Sequence, residues 1–248
     1  MCIRDSAWRA QEILTFAGYI LGFPADTPQT IRRDIEIIKN ELPVDLLEFF
    51  VLTPLPGSED HQELWKNGIA MEPDLNKYAS EHACTTHPLM SKKELEDIYR
   101  EAWSLYYTPQ HMKTLLRRAA ASGLPLINLA KYMLMFSTTD RLERVHPLQG
   151  GLIRLKHPSE RRPGLPRERA SIFWRRFAWE TITNHAILAG TIAKLFLWKM
   201  AITRDPHARA YMDQALTPFC DNEDVTFDLL TKRRVRTQRS PTSKKLAS

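Results

Sequence analysis

Two short apolar runs with a helical pattern between them constrain the fold of this chain more than any other feature. The runs cover residues 16–23 and 46–52, and only Glu48 carries a charge within them. Runs of this kind are typical of strands buried on both faces of a parallel sheet. Between them, Thr27 can cap a helix that begins at Pro28, and isoleucines follow at helical spacing. The pattern predicts a βαβ unit with parallel strands.

The sheet that this unit implies needs more strands than the two that the pattern provides. Two parallel strands do not form a stable sheet alone, and a strand buried on both faces needs a neighbour on each side. We therefore interpret the chain as the C-terminal portion of a larger α/β protein. An intact small α/β domain completed by oligomerisation is the other interpretation. Residues 1–6 lack the apolar core of a signal peptide and include an acid, so they form neither a signal nor a transit peptide. The hexamer resembles leaders of translated fragments from environmental assemblies, and we interpret it as a non-native leader.

Helical patterns replace strand patterns after the second apolar run. Ser91 and Glu94 have the spacing of a capping box, and Thr108 precedes another predicted helix. Residues 124–136 and 172–201 are further helix candidates. We predict a helical C-terminal part of the core at residues 59–145, a Pro- and Arg-rich connection at 146–170, a helical accessory region at 171–230 and a basic disordered tail at 231–248.

The positive charge of the chain is confined to two short segments. The net charge is +6, but residues 154–176 carry eight basic and two acidic side chains, and residues 231–248 carry seven basic and no acidic ones. Because the tail has no folded recognition element, we predict no specific nucleic-acid partner. Three widely spaced cysteines favour a reducing, cytoplasmic compartment.

The segment at residues 171–202 mixes aromatic and basic side chains. A helix of this composition is suited to a membrane interface, and packing against the core is the other interpretation. No run of about 18 uncharged apolar residues occurs, so a spanning helix is not predicted. We expect at most a peripheral membrane contact through residues 171–202. A non-catalytic, membrane-associated or partner-binding protein on a degenerate βα core is therefore the alternative function.

The first apolar run contains a G-x-I-x-G motif, Gly18-Tyr19-Ile20-Leu21-Gly22. Glycines at alternate positions place two bare backbone patches on one face of a strand. A flat ligand ring could lie against these patches, with Ile20 between them as an apolar floor. The strand ends before a helix N-terminus, at the edge where parallel α/β folds bind ligands. Close packing is the other explanation for glycine in a strand.

Three strings extend this motif and carry a resemblance to a known family. They are GYILGFPADTPQTIRRDIEII, LLEFFVLTPLPGS and MSKKELEDIYREAWSLYYTP. In this order they resemble the latter part of a radical S-adenosylmethionine (radical SAM) barrel, over roughly residues 11–122. The likeness is closest to the subgroup that often carries a cobalamin-binding domain. It implies an α/β fold in which residues 7–58 are the last βα units of a partial (βα)6 TIM-like barrel, followed by a mostly helical accessory region.

The resemblance assigns adenine binding to the ends of both strands. The implied residues are Gly18, Ile20 and Gly22 on the first strand, and Leu52, Thr53 and Pro54 after the second. The family often has a glutamate after the second glycine, where this chain has Ala25 and Asp26.

The family also binds a [4Fe–4S] cluster through a Cys-x-x-x-Cys-x-x-Cys loop, which this chain lacks. Cys2, Cys84 and Cys220 are too far apart in sequence to form such a loop, so we expect no metal site here and no cleavage of S-adenosylmethionine by this chain alone. The resemblance implies that a longer parent forms a 5′-deoxyadenosyl radical, which abstracts hydrogen from a small-molecule substrate. The parent would need an electron donor for its cluster. With cobalamin, methyl transfer or rearrangement would be its reaction.

Three further residues are candidates for the substrate side of the site: Glu48, Tyr78 and His82. A carboxylate within an apolar strand is costly unless it is paired or functional, so Glu48 either faces a site or pairs with a basic side chain from another strand. His82, Cys84 and His87 could be drawn as a metal site, but their spacing matches no ligand pattern. A loop near the barrel mouth is the interpretation we prefer for them.

Overall fold

The computed structural model describes residues 8–9, 11–150, 164, 166 and 168–217. The predicted leader, the basic tail at 231–248 and most of the connection at 146–170 lie outside the described residues. The main elements in chain order are β1 (Phe16–Leu21), α1 (Pro28–Glu41), β2 (Leu46–Val51), α2 (Glu59–Lys66), α3 (Lys92–Tyr106), α4 (Pro109–Ala121), α5 (Leu126–Glu143) and α6 (Ala170–Arg204).

The predicted βαβ unit is confirmed. Strands β1 and β2 pair in parallel, with Gly18 opposite Glu48, and α1 connects them. The side chain of Thr27 accepts a hydrogen bond from the backbone N–H of Thr30, while the Thr30 side chain accepts one from the N–H of Thr27, so a capping box fixes the start of α1. The fold is thus a mixed α/β one, mostly helical, with a small two-stranded parallel sheet.

The predicted helices are also present, with one longer than expected. Ser91 and Glu94 form the predicted capping box of α3, and Thr108 caps α4. Helix α5 was predicted to end at Phe136 but continues to Glu143. The hydroxyls of Thr138 and Thr139 donate to carbonyls one turn earlier, so these polar residues extend the helix instead of ending it.

Helices α1 and α3 cover one face of the sheet, which we call the helix face. Leu21 and Phe49 lie on this face and are fully buried. Ile31 and Ile35 of α1 and Leu95 of α3 belong to the same hydrophobic core. Because α1 and α3 also pack against each other, they form a single helical layer on this side of the sheet.

The opposite face, which we call the Gly18 face, is open on β1. It is formed by Phe16, Gly18 and Ile20 of β1 and by Leu46, Glu48 and Phe50 of β2. Phe16 is 51% exposed and Ile20 is 44% exposed, whereas Leu46 and Glu48 are buried. Phe136 of α5 meets the ring of Phe16 at 5.5 Å, but Phe16 and Ile20 remain about half exposed, so the expectation that β1 is buried on both faces is wrong for the described residues.

The outer edge of β2 is closed without a third strand. The hydroxyl of Tyr107 donates to the carbonyl of Leu47 at 2.9 Å and accepts from its N–H at 3.1 Å. The N–H of Val51 donates to the carbonyl of Ser80 at 2.7 Å. Side-chain and loop groups thus take the place of a neighbouring strand on this side, as buried backbone groups require. Within the described residues, the outer edge of β1 is therefore the one sheet edge that still lacks the neighbouring strand that the sequence led us to expect.

Helix α6 is 35 residues long and packs against α4 and α5. Leu195 and Ile202 are its buried residues. By length and composition this helix could cross a membrane, and little of its apolar stretch is buried inside the protein. The sequence prediction of no spanning segment overlooked this, because Lys194 interrupts the apolar stretch.

Candidate functional site

The candidate site is the C-terminal edge of the two-stranded sheet, together with the Gly18 face. Four apolar side chains are exposed at this edge, on the strands and on the loops that follow them: Ile20, Phe23, Leu52 and Leu55. Exposed apolar side chains at the carboxyl ends of parallel strands favour a ligand or partner at this position.

Gly18 gives Phe50 room to lie across the neighbouring strand. A Cβ atom at Gly18 would stand 3.1 Å from Cε2 of Phe50. The Phe50 ring is in turn stacked on the imidazole of His146, with 4.9 Å between the ring centroids. Close packing therefore accounts for this glycine, while the predicted contact of Gly18 with an adenine ring stays a prediction.

Gly22 and Asp26 shape the turn that follows β1. Gly22 has a φ of +100°, a backbone conformation that residues other than glycine rarely adopt. Oδ2 of Asp26 accepts hydrogen bonds from the N–H groups of Gly22 and Phe23 at 2.8 and 2.9 Å. Asp26, which the sequence placed near the family's usual glutamate, thus holds the backbone of this turn.

The residues after β2 leave backbone groups free at the same edge. The N–H of Leu52 donates to the carbonyl of Leu21, which extends the strand pairing by one residue. The Thr53 hydroxyl donates to the carbonyl of Val51, and Pro54 is buried. Among the described residues, no hydrogen bond engages the carbonyl of Leu52 or the N–H of Thr53. The two groups belong to one trans peptide bond and point in opposite directions, so a ligand on one side of the strand end can meet only one of them.

Glu48 lies beneath this edge, on the Gly18 face. Its side chain is 2% exposed, and Oε1 has no hydrogen-bond partner among the described residues. Burial raises the pKa of the Glu48 carboxyl to about 7. The predicted basic partner is therefore not supplied by the described part of the chain, and Glu48 can exchange a proton near neutral pH.

The loop at residues 78–87 runs past the end of β2, where the Ser80 carbonyl accepts from the N–H of Val51, and Tyr78 and His82 contact Glu72 and Glu96, respectively. Tyr78 donates to the carbonyl of Glu72 at 3.0 Å, and burial raises the pKa of its hydroxyl. Nδ1 of His82 lies 3.3 Å from Oε1 of Glu96. Both side chains are half-buried, so their predicted contact with a substrate stays a prediction.

Cys84 and His87, which with His82 were considered as a metal site, both make hydrogen bonds within the protein. Cys84 is buried, its Sγ donates to the carbonyl of Lys77 at 3.3 Å, and burial raises the pKa of its thiol. Nε2 of His87 lies 2.8 Å from the carbonyl oxygen of Phe23, while Nδ1 accepts from the backbone N–H groups of Leu89 and Met90. Within residues 8–150 and 168–217, apart from the gap at residue 10, no group of three or more His, Cys, Asp or Glu could hold a metal ion.

His146 is a site residue that the sequence interpretation missed. Besides stacking on Phe50, its ring meets Trp103 edge to face at 5.5 Å. Its backbone N–H donates to Oε2 of Glu81 at 2.9 Å, and burial lowers the pKa of its imidazole. No local pattern marked this histidine, because its contacts come from residues distant in sequence.

The two cofactors that the resemblance implies, a [4Fe–4S] cluster and S-adenosylmethionine, differ in how well the described residues could bind them. A [4Fe–4S] cluster does not fit, because Cys84 is the one cysteine described and its thiol already donates to a carbonyl. The adenine end of S-adenosylmethionine fits better, since Ile20 is exposed and no hydrogen bond among the described residues engages the carbonyl of Leu52.

The chain was also compared with known proteins. No protein-family model matches it, and no curated protein matches it at a significant level.

Proposed function

We propose that this chain supplies the adenine-facing edge of a radical SAM enzyme, as the last βα units of its barrel. One observation carries the proposal. Helices α1 and α3 cover the helix face of the sheet, and the apolar side chains of Ile20, Phe23, Leu52 and Leu55 are exposed at its C-terminal edge. In (βα) barrels the helices lie on the outside, and the ligand binds at the carboxyl ends of the strands.

The residues of this edge suit a purine ring. Ile20 offers an apolar surface to a flat ring, and the Leu52 carbonyl is the proposed acceptor for an exocyclic amino group. S-adenosylmethionine with a reduced cluster supplies radical chemistry in this family, and the cluster loop would come from strands outside this chain. The same parent would provide the electron donor and a cobalamin domain if it uses cobalamin.

Glu48 is the proposed proton-exchanging group on the Gly18 face. Its carboxyl is buried, one of its oxygens has no partner, and its pKa of about 7 allows both protonation states near neutral pH. Its place opposite Gly18 puts it on the face that a barrel turns toward its lumen. Tyr78 and His82 are proposed only as loop residues near the mouth.

The test uses the longer natural protein that contains residues 7–150. Its upstream sequence must contain a Cys-x-x-x-Cys-x-x-Cys loop, and the absence of that loop would sink the proposal. With the loop present, 5′-deoxyadenosine is measured after anaerobic reconstitution and reduction. We expect Ile20→Asp to lower its formation at least tenfold. Ile37→Asp on α1, which replaces a similarly exposed isoleucine away from the edge, should leave it unchanged.

The second candidate function is the non-catalytic, membrane-associated protein. One observation favours it: the side of α6 that points away from α4 and α5 is apolar and exposed. The same product assay separates the two candidates, because a non-catalytic protein forms no 5′-deoxyadenosine. Membrane association alone does not separate them, since an enzyme can also bind a membrane.

A further inference from the structure

One side of helix α6 is buried against the protein and the opposite side is exposed to solvent. Leu195 and Ile202, which are seven residues apart, point toward α4 and α5 and are buried. On the opposite side of the helix lie Trp179, Ile182, Ala186, Ala189, Ala193 and Leu197, which we call the outward face.

The outward face is exposed although it is apolar. Trp179 is 69% exposed, Ile182 is 65% exposed and Leu197 is 63% exposed. At a rise of about 1.5 Å per residue, the face extends over roughly 27 Å. Soluble monomers rarely expose a continuous apolar surface of this length, so the outward face needs a partner.

The charge around the outward face selects that partner. Arg175 lies one turn before Trp179 and is exposed, whereas the neighbouring Arg176 is paired with Glu168 and Glu180. From residue 181 to the end of the helix, α6 contains two lysines and an arginine but no acid. An apolar face beside excess positive charge is complementary to an anionic lipid surface, where aromatic side chains settle among the head groups.

We propose that the protein docks on anionic membranes through the outward face of α6, with the helix lying along the bilayer surface. The packing of α6 favours this orientation over a spanning one. A spanning helix would have to detach Leu195 and Ile202 from the core and bury Lys194 in hydrocarbon. The proposal is independent of the radical SAM proposal, because it rests on α6 alone.

Vesicle flotation of the full chain tests this docking. We expect the protein to float with vesicles of phosphatidylcholine and phosphatidylserine, and much less with phosphatidylcholine alone. The triple variant Trp179→Ser/Ile182→Ser/Leu197→Ser should lose at least tenfold in bound fraction. The matched control Trp65→Ser/Leu75→Ser/Leu89→Ser removes similarly exposed apolar side chains elsewhere and should bind as the parent does. Far-UV circular dichroism checks that both variants remain folded.

A charge variant gives a second measurement that does not depend on the triple variant. Arg175→Gln/Lys194→Gln should weaken binding about thirtyfold at low salt, since each basic residue near the surface contributes about 1 kcal/mol and about 1.4 kcal/mol corresponds to a factor of ten. Arg33→Gln/Lys66→Gln is the control with the same loss of charge on other exposed positions.

Four results would overturn the proposal. The first is binding that survives the α6 triple variant, as expected if the basic tail alone bound lipid. The second is equal loss of binding in the α6 variant and its control. The third is association that resists alkaline carbonate, which marks a spanning helix. The fourth is a dimer in sedimentation velocity that the α6 variant converts to a monomer, with no vesicle binding by the parent.

Discussion

The ring of Phe50 occupies the space that a side chain at Gly18 would need. Cε2 of Phe50 would be 3.1 Å from a Cβ at position 18, and the stacked imidazole of His146 limits the ring's retreat. The packing of Phe50 on the neighbouring strand therefore explains why position 18 is a glycine, independently of any ligand that the site binds.

Gly18→Ala should lower the free energy of unfolding by about 1 kcal/mol. Overpacking against Phe50 costs roughly 1–3 kcal/mol, and the lower chain entropy of alanine returns part of this. Urea denaturation measures the change. In a Phe50→Leu background, where the ring is absent, Gly18→Ala should be neutral or stabilising. An equal loss in both backgrounds would show that Phe50 is not the cause.

Glu48→Gln should change the pH dependence of stability. Burial raises the pKa of Glu48 to about 7 in the folded protein, whereas in the unfolded chain it lies near its ordinary value of 4.5. Between these values the folded state binds more protons than the unfolded state, so stability falls as pH rises from about 4.5 to 7. The loss is on the order of 3 kcal/mol above pH 7.

The glutamine variant removes this titration while keeping the side-chain shape. Urea denaturation at pH 5 and pH 8 should therefore show a smaller fall in stability with pH for Glu48→Gln than for the parent, and a more stable variant at pH 8. Glu63→Gln on α2 is the exposed control and should keep the parent's slope. A Glu48→Gln slope equal to the parent's would contradict the raised pKa.

Tyr107→Phe should destabilise the sheet by removing the hydroxyl that closes the outer edge of β2. The N–H and carbonyl of Leu47 would both lose their partner in a buried position. We expect a loss of about 1–3 kcal/mol in the free energy of unfolding, the usual cost of an unsatisfied buried group. Faster hydrogen exchange at the Leu47 amide would locate the effect at this edge. Tyr132→Phe, on the exposed side of α5, is the control.

Local patterns were sufficient to predict the parallel βαβ unit and the capped helices. Thr27, Ser91 and Thr108 each act within four residues along the chain, so their geometry follows from the sequence around them. The outer edge of β2 could not be predicted in this way. Its partners, Tyr107 and Ser80, come from a helix end and a loop, and only tertiary packing brings them to the strand.

The candidate site shows the same division. The G-x-I-x-G spacing correctly placed Gly18 and Ile20 on one face of β1, because side chains alternate along a strand. The expectation that Gly22 adds a second bare patch to this face is wrong, because β1 ends at Leu21 and Gly22 lies in the following turn with a φ of +100°. The burial of Glu48 was inferred from its apolar strand and is confirmed. The role of His146 was not foreseen, since it depends on rings from β2 and α3 that meet it in space.

His87→Ala should loosen the loop at residues 85–90 from the turn after β1. Nε2 of His87 donates to the carbonyl of Phe23, and Nδ1 accepts from Leu89 and Met90, so the imidazole links the loop to the candidate site. Losing these bonds should cost about 1–2 kcal/mol of stability. Limited proteolysis should cut this loop first in the variant, while His61→Ala, which removes an imidazole without such bonds, should be cut as the parent is. If His87→Ala resists proteolysis as well as the parent, the imidazole does not hold the loop, and the turn after β1 is fixed by Asp26 and the pairing of Leu52 with Leu21 alone.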